Sequence, residues 1–236
     1  MNARLAVLVA FLAVPTVACA DDPPRFSLDT SLYPYLDRIE TGTDLTLTAN
    51  ARFPARISYF SYLNFSGVVS DGDVDFVRSE QTVRWRMSAD LPLDLSAQAV
   101  IVDGSGNDFT QVGVSWRVHD TPAFAALFDR INLIYRLTFQ LKRFSSSNDK
   151  GWQMEHFFKM RFPGISDRLY LSGFLDQTFD LKRPAAFPES PIVTEIQAGA
   201  RIWKDFYVIT EYRVNQFRLG DEHNLAAGIE YKYAWR

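Results

Sequence analysis

Residues 152–162 place Trp152, Met154, His156, Phe158, Met160 and Phe162 on one parity and Gln153, Glu155, Lys159 and Arg161 on the other. A β-strand turns alternate side chains to opposite faces, so this segment has one apolar and one charged face. The same division recurs in 83–89 (Val83, Trp85, Met87, Ala89 against Arg84, Arg86, Ser88) and in 225–235 (Leu225, Ala227, Ile229, Tyr231, Tyr233, Trp235 against Glu230, Lys232). Segments of about ten residues with this alternation, separated by turns, are the sequence form of a barrel that meets lipid outside and water inside. The fold class is therefore all-β: an antiparallel, transmembrane, up-and-down barrel.

Twelve alternating segments are expected, near 27–37, 44–53, 56–66, 80–91, 93–102, 109–118, 131–143, 151–162, 167–179, 191–203, 205–217 and 223–235. Their connections alternate in length. Short turns fall at Phe53-Pro54-Ala55, Leu91-Pro92, Pro163-Gly164 and Lys204-Asp205, and longer polar loops at 67–79, 103–108, 144–151 and 180–190. An even strand count with this parity is what a barrel with both termini on the short-turn side requires. One longer link, 119–130, falls on the short-turn side, where Asp120 or Thr121 is placed to cap a short helix opened by Pro122.

Composition enters as a test of the lipid face. Although 22 % of residues are charged, away from the strand ends no Asp, Glu, Lys or Arg falls on the outward parity of an expected strand. Arg or Lys at a bilayer midplane costs about 2–4 kcal/mol, which accounts for their absence. A secreted β-sandwich or lipocalin-like barrel is the soluble alternative. Mean hydropathy is only −0.12, as befits a chain half of whose strand positions face water. After residue 20 no run approaches the roughly 20 apolar residues of a membrane helix.

The chain opens with Arg4, the apolar run Leu5 to Val14, and Ala18-Cys19-Ala20 before Asp21. This is the pattern of a cleaved secretory signal, residues 1–20, leaving a barrel domain of 21–236. A lipidated Cys19 or a retained anchor are the alternatives. Cleavage after Ala20 removes the only cysteine, and with it disulfides, cysteine nucleophiles and thiolate metal sites.

The inward parity carries thirteen bases: Arg52, Arg56, Arg84, Arg86, Arg117, Arg136, Lys142, Lys159, Arg161, Arg168, Arg201, Arg213 and Lys232. Nine acids stand against them: Asp29, Asp37, Asp44, Asp94, Glu155, Asp176, Glu195, Glu211 and Glu230. With a whole-chain charge of −3, the reading is a basic lumen and acidic loops. Arg52, Arg56, Arg117, Arg161, Arg168 and Arg201 fall near the short-turn ends and would ring the inner mouth. Rings of Arg and Lys favour anions in a pore. The residues expected to contact a solute are Arg84, Arg86, Arg136, Lys159, Arg161, Arg201 and Arg213. The function expected is passive diffusion of small polar or anionic solutes, with no cofactor and no metal. The alternatives are a barrel filled by Arg–Glu pairs, with a structural or adhesive role, and a lipid-acting enzyme.

Only His119, His156 and His223 are available to an enzyme. His156 points outward, but the next outward position is Phe158 rather than a serine. Asp71, Asp73 and Asp75 alternate in an outer loop without the Glu that would close a calcium site, so a solvated acidic loop is expected. No glycine motif cradles phosphate, and the basic residues form no surface patch for nucleic acid.

The last strand ends Tyr231-Lys232-Tyr233-Ala234-Trp235-Arg236. Together with the signal, the alternating strands and the short turns, it resembles bacterial outer-membrane barrels. Size and strand count are similar to the twelve-stranded porins for nucleosides or acidic oligosaccharides, in architecture only. That resemblance implies residence in the outer membrane, contact with its lipid and lipopolysaccharide, and recognition of the closing strand by the assembly machinery. In that class the closing strand ends on an aromatic residue, whereas here Arg236 displaces Trp235 from the end.

Overall fold

The computed structural model describes residues 25–34, 43–66, 76–103, 108–145, 151–180, 186–217 and 222–235. The signal segment, Cys19, Asp37, the 71–75 acidic run and Arg236 lie outside the described residues. Twelve strands follow one another: β1 (Arg25–Pro34), β2 (Thr43–Phe53), β3 (Ile57–Ser66), β4 (Phe76–Arg86), β5 (Leu93–Val102), β6 (Phe109–Arg117), β7 (Leu133–Ser145), β8 (Trp152–Phe162), β9 (Ser166–Phe179), β10 (Ile192–Trp203), β11 (Phe206–Asn215) and β12 (His223–Trp235), with a helix α1 (Pro122–Arg130) between β6 and β7. Each pairs antiparallel with its sequence neighbours, and β1 pairs with β12 from Phe26 opposite Trp235 to Leu32 opposite Ile229, so the sheet closes on itself. Closure leaves no edge strand, the one arrangement by which a sheet crosses lipid.

Burial is inverted relative to a water-soluble barrel. The most deeply buried large side chains include Gln111, Gln140, Thr82 and Thr138, whereas Leu95, Leu141, Leu225 and Ile229 are exposed on the outward parity. A lipocalin-like barrel would bury the second set and expose the first. Strands of 9 to 14 residues match or exceed the roughly 9–11 that a tilted strand needs to span a bilayer.

One strand differs in register from the sequence reading. β4 runs Phe76–Arg86 rather than 80–91, so Met87 and Ala89 leave the lipid face while Arg78 enters the lumen beside Glu80. The alternation continues past the strand, but turn chemistry overrides it. The Ser88 hydroxyl accepts from the Asp90 amide, the Met87 amide donates to Leu93 O, and Pro92 has no N–H to offer a ladder.

Helix α1 forms where Pro122 predicts it, with Thr121 as N-cap residue but without a side-chain cap. The Thr121 hydroxyl is occupied, accepting from Trp116 Nε1 at 2.8 Å and donating to Arg117 O. Asn132, two residues beyond the helix, has a φ of 51° that supplies the left-handed turn back into β7. The apolar side of the helix meets outward-facing rim aromatics: Phe124 lies 6.5 Å from Trp116, and Phe128 stacks on Tyr135 at 6.2 Å.

Candidate functional site

The lumen is built from the inward parity, and one β-bulge changes which residues belong to it. Between β6 and β7 the register slips at Gly113, so Gly113 faces Gln140 but Val112 faces Lys142. Lys142 therefore lies on the outward face near the long-loop end, with its ammonium 6.0 Å from the Phe144 ring. Arg143 takes its place inside, donating to Gln153 at 3.0 Å and lying over the Phe109 ring. The expected inward Lys142 is thus corrected to Arg143. Strict alternation cannot register an extra residue. The signal for the slip is Gly113 itself, because a Cβ there would sit 1.9 Å from Phe139 O.

Above the mouth, the wall from β4 to β8 is a belt of amides and hydroxyls. Gln98 donates to Thr82, Gln111 to Gln98 and to Glu155, Gln140 to Glu155, and Thr138 to Ser115. Across the lumen, Arg213 gathers Glu195 at 2.8 Å, Glu211 at 3.4 Å and Asp44 at 3.8 Å, and Asn64 ties Asp44 to Thr46. Arg78 pairs with Glu80. Near the turn ends of β9 to β12, the Tyr170 hydroxyl donates to Glu230 across two strands. Lys232 pairs with the same carboxylate at 3.0 Å and lies 3.9 Å from the Tyr170 ring centroid. That ring lies over Gly199, where a Cβ would sit 2.0 Å from its edge.

The seven expected solute-contacting residues divide into two groups. Arg86, Arg201 and Arg213 are neutralised within the protein: Arg86 by Asp120 at 3.0 Å, Arg201 by Asp167 at 2.6 Å, and Arg213 by its acids. Arg84, Arg136, Lys159 and Arg161 have no ion-pair partner among the described residues. They stand on the inward parity of β4, β7 and β8, toward the short-turn end. The Nε atoms of Arg84 and Arg136 are buried without any hydrogen-bond partner. Arg136 is directly opposite Arg117, and the charges of Arg84 and Arg52 also reach it. Like charges facing each other across strands are unfavourable. Arg117 is relieved by Asp94 and by Asp120 at 2.7 Å, but Arg136 is not. Phe157, opposite Arg136 and on the inward parity, is 39 % exposed.

Arg56 sits in the β2–β3 turn with φ of 63°, and Arg168 is exposed at the same rim. Sequence reading missed Arg78, Glu80, Arg143 and the aromatic positions Tyr62, Phe157 and Tyr170. All six follow from parity once strand ends and the bulge are placed.

The 3-10 turn Val118–Asp120 follows β6 at the short-turn mouth. Burial pushes the Asp120 carboxyl up, but the Arg117 hydrogen bond and the His119, Arg117 and Arg86 charges outweigh it and hold the group below the ordinary carboxylate range.

His156 is outward, as its parity requires. The Tyr135 hydroxyl lies 2.6 Å from its Nδ1, and its cross-strand neighbours are Leu137 and Leu175. The nearest outward partners thus supply a tyrosine but no serine or carboxylate. His119 contacts Tyr135 O, and His223 contacts the Tyr212 hydroxyl. Among the described residues no three His, Cys, Asp or Glu side chains converge on a metal-sized site.

No family model matches the chain, and no curated protein sequence matches it. Solved structures do. A KdgM porin aligns over 88 % of this chain and 99 % of its own with a TM-score of 0.52 at 12 % identity. A NanC porin aligns over 86 % and 98 % with 0.53 at 10 % identity. The fold is that of the twelve-stranded porin barrel. At such identities the likeness resides in architecture, and no side chain is carried over from either relative.

Proposed function

We propose that this porin-like barrel is a channel of the bacterial outer membrane, passing small anionic or polar solutes by passive diffusion. One observation carries the reading: Arg84 and Arg136 present buried, unpartnered Nε donors on inward positions, with Lys159 and Arg161 beside them. Leaving a charged donor buried and unpaired is costly. An anion passing the short-turn mouth would offset that unpaired charge, and the terminal nitrogens of Arg offer a carboxylate or phosphate parallel bonds. The exposed Phe157 ring facing Arg136 adds an apolar surface for the carbon portion of such a solute. In this reading residues 1–20 direct secretion and are removed, the barrel contacts outer-membrane lipid and lipopolysaccharide, and β12 is its signal to the assembly machinery. Its chemistry is transport rather than catalysis.

The amide–carboxylate belt favours a second reading. Gln111 and Gln140 are essentially inaccessible and their amide nitrogens donate into the belt, as in a barrel plugged at that height with a structural role. Planar-bilayer recording of the refolded mature protein under a salt gradient separates the two. A channel gives discrete conductance steps and a reversal potential on the anion side, which Arg84→Glu/Arg136→Glu shifts toward cations while Arg86→Gln does not. Insertion without conductance would establish the plugged barrel.

A further inference from the structure

The start of β9, the end of β10 and the turn leading into β11 enclose a cleft of about 380 Å³ on the short-turn rim, lined by Asp167, Arg168, Arg201, Ile202, Trp203 and Lys204. Three cations face one carboxylate. Asp167 holds Arg201 in place, whereas Arg168 and Lys204 are exposed and have no ion pair among the described residues. Lys204 is fixed by a tight turn, φ of 45°, with its ammonium 4.6 Å from the Trp203 ring centroid.

The other side of the cleft is apolar and continuous with the lipid face. Ile202 and Trp203 are 57 % and 60 % exposed. Trp203 stacks on Phe206 at 5.8 Å, and Phe206 meets Tyr231 at 4.8 Å, a row of outward-facing aromatics. Such rings mark headgroup depth in a bilayer. The cleft therefore joins a basic lip on the water side to an apolar wall on the lipid side. A free anion would use only the first, whereas a lipid uses both.

We propose that this cleft binds the phosphate of an anionic membrane lipid. Arg168 and Lys204 contact the phosphate, Arg201 is a third donor oriented by Asp167, and Ile202 and Trp203 cover the glycerol and first methylenes. Basic side chains at a bilayer surface attract anionic headgroups by this mechanism. The proposal is independent of whether the lumen conducts.

The test is native mass spectrometry of the mature protein released from mixed phosphatidylglycerol and phosphatidylcholine nanodiscs. Arg168→Gln/Lys204→Gln is compared with the charge-matched Arg130→Gln/Lys142→Gln, each checked for barrel formation by its gel-mobility shift on heating. The rim variant is expected to bind its tightest phosphatidylglycerol about tenfold more weakly, with the control unchanged. Equal retention by both variants would overturn the site. Displacement by inorganic phosphate as readily as by phosphatidylglycerol would reassign it to a soluble anion and overturn the lipid assignment. In the unsubstituted protein, a photoreactive phosphatidylglycerol is expected to label the peptide containing Ile202 and Trp203. Labelling spread evenly around the barrel would count against the proposal even if a variant failed to fold.

Discussion

Gly113 and Gly199 are residues whose missing side chains matter more than most side chains present. At Gly113 the bulge brings the β7 backbone to where a Cβ would stand, and at Gly199 the Tyr170 ring fills that position. Gly113→Ala and Gly199→Val are each expected to destabilise the barrel by about 1–3 kcal/mol, the range for forcing atoms into a packed site. Urea titration of the refolded protein in vesicles would measure the loss. Asp120 sets a pH dependence of defined sign. Its carboxyl lies below the ordinary value when folded, so its contribution is complete above the unfolded value of about 3.9 and is lost as pH falls through the folded value. The stability difference between the native protein and Asp120→Asn should thus be constant near neutrality and vanish in acid. A difference that grew on acidification would refute this sign.

Element by element, the alternation of apolar and polar residues decided strand identity and face, and local turn chemistry decided the ends. β4 shows the division: Ser88, Asp90 and Pro92 terminate it although Met87 and Ala89 keep the alternation, and its true start brings in Arg78. β7 shows where periodicity fails outright, since a bulge reverses the faces of every residue beyond it. A cysteine at position 142, in a Cys19→Ala background, should react with membrane-restricted thiol reagents but not with a soluble reagent added from the lumen. A cysteine at 143 should do the reverse. The opposite pattern would place the bulge elsewhere.

For the whole molecule, closure and inverted burial have a common cause. With lipid outside, apolar side chains gain nothing by facing inward, and unpaired strand edges cannot be tolerated. Polar side chains consequently crowd the interior, where they must find one another. The lumen resolves this unevenly: Arg213 and Arg78 are paired, Gln98, Gln111, Gln140 and Glu155 form a belt, and Arg84 and Arg136 are left over. Replacing both with Gln should stabilise the barrel against urea, because unpaired buried charge is removed, while weakening anion selectivity in bilayers. Loss of stability instead would mean that these guanidiniums hold the wall together.

Sequence by itself determined the strand number, the parity of every strand except the far end of β7, and the scarcity of charge on the lipid face, because a period of two is a local property and the cost of charge in lipid acts on each residue separately. It also located Pro122 and the helix it opens. Only the tertiary structure decided which of the inward cations remain unpaired, because pairing depends on heights and neighbours across strands far apart in the chain. Arg84 and Arg86 are two residues apart on one face, yet Asp120 neutralises only Arg86. The exchange of Lys142 for Arg143 was likewise fixed by the close approach of the β7 backbone to Gly113.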